Sequence, residues 1–453
     1  MAPNYPPSHH AWQPIPPRGW NSYDAFGSSV TETQVLENAA LLRQQLGSNG
    51  FDLVTVDYCW SHPDPGPVAN PDQGVDLSPS LAMDRFGRLL PAPERFPSAT
   101  KGVGFKSLGD RLHADGQRFG LHMMRGVPRQ AVRDGCPIQA APGGATARDI
   151  ARPDDRCTWL DQMVGIDLSN PAGQAYYDSV IALYAEWGVD YLKADDLTFR
   201  EGQGYAEADI KAIRRAIDRT GRPIVLSLSP GPAPPERARH LSDHANTWRM
   251  SADFWDDWSK LKAMFALCER WSTQTEHPDI AGWPDADMIP IGPVSQCGPS
   301  GAPRRSRFSF DEFRTMMTLW SLFRSPLILG GDLRGLNEQD WSLLVDPAWV
   351  EVSELGRGPR PLYRDGDQWV WASERFRNDP RSEQRELYVA VFNLSDCRRA
   401  SKIALAELFA PAWRVASIRQ MSGPAVTSTT EHLRVNLPSH ASALVSMSFI
   451  VGH

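Results

Sequence analysis

From Trp20 to about Gly331, short apolar runs alternate with stretches whose apolar positions recur at helical spacing. That alternation is the mark of strand–helix–strand units wrapped on a parallel sheet. Residues 51–57, 118–123, 189–195, 223–229, 245–250 and 326–330 read as strands, with weaker candidates at 16–22 and 281–289. Helical periodicity occupies 31–46, 173–187, 207–220, 254–271 and 311–323. Thr31 with Gln34 has the form of a capping box, and Asp311 is placed to cap a helix start. Eight strand–helix repeats in about 310 residues predict a (β/α)8 TIM barrel, whose reactive groups stand at the C-terminal ends of the strands.

Beyond Pro347 the texture changes. Alternating runs at 368–373, 386–392, 413–419, 433–437 and 443–450, separated by turn residues, predict a C-terminal antiparallel β-sandwich. The expected organisation is an N-terminal extension over 1–17, a barrel over 18–349 and a β domain over 350–453. Two insertions follow strand tips. Residues 61–101 hold Pro-Asp-Pro-Gly-Pro and Pro-Ala-Pro-Glu-Arg-Phe-Pro, and residues 126–161 hold Ala-Ala-Pro-Gly-Gly-Ala, so both read as loops over a pocket. His9 and His10 read as tail residues.

Composition narrows the function. A formal net charge of −7 with 22% charged residues leaves no basic stripe to follow phosphates, and no apolar run is long enough for a bilayer. Neither nucleic acid nor membrane is an expected partner. The six cysteines show no paired metal-ligand spacing, so no metal or other cofactor is expected. Cys136 and Cys157 would permit a disulfide, which would fit an extracytoplasmic (periplasmic or secreted) protein whose leader is absent from this chain. Asn393-Leu394-Ser395 has the form of a glycosylation acceptor, a short motif for which chance is the default explanation. Of the sixteen tryptophans, most read as core; Trp20, near a strand end, is the expected platform for a sugar ring.

The chemistry concentrates in two stretches, Leu192-Lys193-Ala194-Asp195-Asp196 and Trp248-Arg249-Met250-Ser251-Ala252-Asp253. Each is strand-like and ends in a carboxylate, and two such groups can cleave a glycosidic bond, one as nucleophile and one as acid and then base. Alternation aims Lys193 and Asp195 to one side, so the ammonium would keep Asp195 ionised and make it the nucleophile. Asp196 is assigned to capping the next helix. Asp253, beside Phe254 and Trp255, is the expected acid, held protonated by desolvation. Asp256 and Asp257 would sit in the first turn of the following helix and serve its dipole. Asp285 and Asp287 are expected to orient loops and neighbouring side chains. His122 reads equally as a hydrogen-bonded strand residue or a substrate contact.

At this point the chain resembles a known family. Gly19-Trp20-Asn21-Ser22-Tyr23-Asp24-Ala25-Phe26, Lys193-Ala194-Asp195, Trp248 to Asp253, Trp283-Pro284-Asp285-Ala286-Asp287-Met288 and Ser325 to Leu333 are similar to the ordered blocks of glycoside hydrolase family 27, the melibiases. The resemblance implies a barrel with a terminal β domain and a retaining mechanism. By motif position it implies Asp195 as nucleophile, Asp253 as acid/base, Arg249 at the sugar 2-position, and Lys193 and Asp57 on ring hydroxyls, with Trp20 as an aromatic wall. Two departures stand out. Family α-galactosidases usually show Asp-Asp-Cys-Trp where this chain has Asp57-Tyr58-Cys59-Trp60, and Gly-Ile-Tyr-Ser-Asp where it has Gly120 to Met124 followed by Arg125. Tyr58 and Arg125 are therefore expected to meet the sugar's far edge, and Ser229 at the fifth strand tip joins the substrate-binding set.

The expected activity is that of a retaining exo-glycosidase acting on terminal α-D-galactosyl or closely related residues of an oligosaccharide or glycoside. Isomalto-dextranase-like and β-L-arabinopyranosidase activities are the alternatives within the class. A non-catalytic carbohydrate-binding protein is the alternative outside it, and a metal-dependent isomerase or aldolase lacks its ligand cluster. Oligomeric state is not legible in the chain.

Overall fold

The computed structural model describes residues 8–65, 81–160, 162–277, 279–376, 384–410 and 413–451. Part of the first insertion, including Gly66 and Pro67 of its proline-rich motif, lies outside the described residues, as does Asp161 of the second. Eight strands form one sheet: β1 (Arg18–Asn21), β2 (Leu53–Val56), β3 (Arg118–Met124), β4 (Tyr191–Asp195), β5 (Val225–Leu228), β6 (Thr247–Arg249), β7 (Trp283–Asp285) and β8 (Leu327–Leu329). Their order is β7-β6-β5-β4-β3-β2-β1-β8, with parallel registers from β1 through β6. Just past β7, Ile289 pairs in parallel with Leu329 and closes the ring. All eight expected strands are present, which is the (β/α)8 barrel.

Among the helices are α1 (Glu32–Leu46), α2 (Lys106–Ala114), α3 (Pro171–Glu186), α4 (Glu207–Thr220), α5 (Ala238–His244), α6 (Trp258–Thr275), α7 (Phe310–Phe323) and α8 (Pro347–Leu355). The Thr31–Gln34 capping box starts α1, and α7 starts on a Ser309–Glu312 box with Asp311 inside the first turn rather than at the cap. The pattern from Phe254 begins as a helix only at Trp258. Asp257 is its N-cap, accepting from Ser259 N–H, and buried Asp256 accepts the N–H of Arg307, so neither acid lies in the first turn. Asp196 caps no helix, since α4 begins eleven residues after it at Glu207. A small sheet joins Val127–Pro128 and Ala151–Arg156 of the second insertion to Met163–Ile166 just past it.

By compactness the chain divides into two units. One comprises Met1–Asp253, Asp287–Ser306 and Ile328–Leu336; the other comprises Phe254–Ala286, Arg307–Leu327 and Asn337–His453. The second unit therefore extends beyond the 350–453 expected for a β domain, because its sheets pack on barrel helices: Phe265 of α6 meets Trp369 and Phe392, and Thr315 of α7 bonds to His440 O. Its β-sandwich comprises a five-stranded antiparallel sheet and a three-stranded one. Leu387, Val389, Val391, Leu433, Val435, Val445 and Met447 lie in its core.

In the first unit, the residues read as a tail form a plug. His9 is buried, its ring bonds to Ser242 O, and its carbonyl accepts from Asn246, which immediately precedes β6. Gln13 accepts from Arg118, the first residue of β3. These contacts seal the N-terminal ends of the strands, opposite the expected site. Among the described residues, no helix is long and apolar enough to cross a membrane. The permitted Cys136–Cys157 bridge is not formed, and both thiols are free.

Burial, then His10 and Arg214, hold the His9 imidazole down at about 3. An unfolded chain would protonate it near its ordinary value of about 6.5. As pH falls from that value toward 3, the unfolded state alone takes up the proton, so folding stability declines across this window. The melting temperature of His9→Leu should fall less steeply between about pH 6.5 and 4 than that of the parent; parallel slopes would rule out His9 as the source.

Candidate active site

The site is built at the C-terminal strand tips. Parallel register sets His122 of β3 opposite Lys193 of β4, and Met124 opposite Asp195. With a side-chain period of two, His122, Lys193 and Asp195 share one face, and His122 reaches Asp195 on the diagonal. Its ring nitrogen meets Asp195 Oδ2 at 3.1 Å, while Oδ1 accepts the N–H of Asp196 at 2.7 Å. Burial pushes the Asp195 carboxyl up, but the His122 bond, the Lys193 charge and the Asp196 amide outweigh it and hold the group below its usual range. Asp195 is thus ionised and aimed, and His122 is a hydrogen-bonded partner of the carboxylate.

Asp57, just past β2, is tied down from four sides. Lys193 Nζ donates to its Oδ2 at 2.8 Å and Asn21 at 2.7 Å, Tyr58 N–H donates to Oδ1, and Ser22 Oγ accepts its N–H. Burial raises the Asp57 carboxyl, yet Lys193 and His122 bring it well below the ordinary range. The ammonium moves the opposite way: burial lowers it, and Asp57 and Asp195 raise it further. Lys193 remains a cation under all relevant conditions.

Arg249 at the tip of β6 forms a second anchor. Its Nη2 contacts Asp287 Oδ2 at 2.6 Å and Asp253 Oδ1 at 3.3 Å. Asp287 thereby does what was expected of it, orienting a neighbour. The Asp253 side chain is 49% exposed, so the apolar enclosure expected from Phe254 and Trp255 is missing. Phe254 instead packs on Phe308 and Trp320. The two anchors belong to one electrostatic cluster: Lys193 senses Asp195, Arg249 and Asp287, and Tyr23 senses both Asp253 and Asp57.

Three expected site residues are placed differently. Trp20 is 0% exposed, donates its indole N–H to Gly331 O and packs edge-on to Phe26, so it is core. The aromatic rings nearby are buried Tyr23, whose ring lies 5.7 Å from Lys193 Nζ, and half-buried Trp159 of the second insertion, which packs on Tyr58. Arg125 faces no sugar edge. Its side chain is 1% exposed and spent on Asp155 and Asp196, with Nε also on Asp196 O, while its backbone N–H donates to Asp195 O. Arg125 therefore clamps the chain on both sides of Asp195. With burial raising it first and Arg125 pulling it back, Asp196 sits at about 6. Ser229, also buried, links strand tips through its backbone: its N–H donates to Ala194 O and its carbonyl accepts from Leu197. Tyr58 does stand at the cluster, 3% exposed, edge-to-face with Tyr23, His122 and Trp159. Cys59, Asp196 and Asp287, each next to or within two residues of a charged site group, all adopt positive φ, the kind of backbone strain that collects where function fixes geometry.

Sequence reasoning passed over Asn21, Ser22, Tyr23 and Asp24 as individuals. Their signal was position: they directly follow β1, where a barrel presents its working side chains.

A family model described as "Alpha galactosidase A" matches residues 163–354. The solved structure of a β-L-arabinopyranosidase of glycoside hydrolase family 27 from Geobacillus stearothermophilus is 41% identical, covers 97% of this chain and 98% of its own, and superposes with a TM-score of 0.88. The chain belongs to glycoside hydrolase family 27. A variant of that bacterial enzyme in complex with arabinose is 40% identical over 97% of this chain and 99% of its own, again with a TM-score of 0.88. Among curated relatives, alpha-galactosidase 3 of Arabidopsis thaliana is 27% identical over 83% of this chain and 68% of its own length. This family 27 protein is a glycoside hydrolase, and a carbohydrate is its substrate.

Replacing His122 by Phe removes a donor from Asp195 while keeping an aromatic ring. The acidic limb of kcat/KM should move up by about one pH unit and kcat should fall about 10- to 100-fold; an unmoved limb would show that the bond does not tune Asp195. Arg125→Met leaves buried Asp196 without its cation, while Asp155 keeps Arg200, and should cost about 3–5 kcal/mol of stability, read by denaturant unfolding.

Proposed function

We propose that this enzyme is a retaining exo-glycosidase with Asp195 as nucleophile and Asp253 as acid/base. It releases a terminal α-D-galactopyranosyl residue or its pentose counterpart, a β-L-arabinopyranosyl residue, the two sharing ring stereochemistry and differing in the hydroxymethyl group. The observation that carries the reading is the state of Asp195: buried, ionised, and held by His122 and Asp196 N–H at a strand tip beside Lys193. Asp195 attacks the anomeric carbon while Asp253 passes its proton to the leaving oxygen. Asp253 then takes a proton from water, the water oxygen bonds to the anomeric carbon, and the bond to Asp195 breaks. Half-exposed Asp253 can exchange protons with solvent between the two steps. Lys193, Asp57 and Arg249 are assigned to ring hydroxyls. A non-catalytic binding protein would have no use for a nucleophile so prepared.

Tyr58 favours the pentose. It stands where family α-galactosidases usually have a second carboxylate for a distal hydroxyl, and it offers a buried phenol packed among three rings. A hydroxymethyl group there would lose its charged acceptor, and leaving a polar group without its partner is what separates close analogues in such sites. The whole-length relative acting on β-L-arabinopyranosides supports the same preference.

Nitrophenyl β-L-arabinopyranoside should be turned over with a higher kcat/KM than nitrophenyl α-D-galactopyranoside, with dextran inert, and proton NMR should show the sugar released first with retained anomeric configuration. Asp195→Asn should lower kcat on the order of 10,000-fold or more with folding intact. Retained turnover in that variant would sink the assignment. Tyr58→Asp should shift the preference toward the galactoside about tenfold or more.

A further inference from the structure

Asp24 is an acid without a place in the scheme above. It lies in the short turn after β1, is 1% exposed, and its carbonyl accepts the N–H of Ser295. Its Oδ2 meets no hydrogen-bond donor among the described residues. Space for it comes from Gly330, where a Cβ would fall 1.9 Å from that oxygen. The charged groups whose fields act on it come from three other strands: Asp287 after β7, Lys193 on β4, and Asp253 and Arg249 at the tip of β6. Tyr23 faces it from its own turn.

Both cations in this set are engaged. Lys193 holds Asp57, and Arg249 is shared between Asp287 at 2.6 Å and Asp253 at 3.3 Å. A buried carboxylate needs a counter-charge or several donors, so an ionised Asp24 would have to draw on Arg249 or Lys193. Burial first, and the charge of Asp287 next, raise its carboxyl well above the ordinary range. The missing donor and this shift both favour the neutral acid.

We propose that Asp24 is a positioning residue for the acid/base: uncharged, it leaves Arg249 to Asp253 and Asp287, and on losing its proton it withdraws that guanidinium and ends activity on the alkaline side. This rests on the reading of Asp253 as acid/base. Asn is the isosteric mimic of a carboxyl that stays neutral, whereas Ala removes both the polar group and the packing against Gly330.

The test is the pH profile of kcat/KM from about pH 4 to 10 for the full-length parent, Asp24→Asn and Asp24→Ala, on whichever nitrophenyl glycoside is turned over. Asp24→Asn should keep activity within about threefold at pH 6 and move the alkaline limb up by about half a unit or more, and Asp24→Ala should lose about tenfold. Coincident alkaline limbs for parent and Asp24→Asn overturn the proposal, as does an Asn variant as impaired as the Ala variant. Should Asp24→Ala not fold, the position of the Asn limb alone decides. Asp253→Asn keeps the two readings apart: full activity in that variant removes Asp253 as acid/base whatever the Asp24 limb does.

Discussion

A buried ammonium is what allows this barrel mouth to hold so much negative charge. Lys193 sits on β4 between Asp57, which it binds at 2.8 Å, and Asp195, whose ionised form it favours. Without it Asp57 would be an uncompensated buried carboxylate, a condition that costs several kcal/mol. The parallel register of β3 with β4 then fixes the rest. It brings His122 onto the same face as Lys193, and from there His122 can hold Asp195 by its second oxygen. One cation and one strand pairing set the electrostatics of the reaction centre.

How far the amino-acid pattern reveals this depends on the physics behind each element. Parallel strands buried on both faces write continuous apolar runs, so all eight were visible. So was the capping box at Thr31, because it depends on residues three apart. Helix α6 was placed too early because Asp256 and Asp257 look like first-turn acids, while Asp256 in fact serves a distant N–H on Arg307. That Lys193, Asp195 and Arg249 stand near strand ends, with Asp253 shortly after, is legible because each closes or follows an apolar strand-like run. Trp20 was misread for a simple reason: in sequence, an indole that stacks on sugar and one that fills a barrel look the same. Tertiary burial decides between them: Trp20 is core, and the rings around Tyr58 are those of buried Tyr23 and half-buried Trp159.

The two departures from the family pattern do unlike things. Tyr58 changes the surface that a sugar would meet. Arg125 changes what supports Asp195 from behind, since Asp155 and Asp196 consume its guanidinium and its own backbone binds Asp195 O. Asp155 belongs to the sheet in the second insertion. That insertion therefore buttresses the residue next to Asp195 and also delivers Trp159 to Tyr58, so its length is tied to the site rather than free to vary like an ordinary surface loop.

The plug at the opposite end carries a consequence for biosynthesis. His9 waits for Ser242 and Asn246, partners that leave the ribosome more than two hundred residues after it. During translation the leading segment has no floor to seal, and the strand starts stay wet until the sixth has been made. Closure of the base is thus a late event in vectorial folding, and a nascent chain stalled before Asn246 would display the segment around His9 to proteases and chaperones.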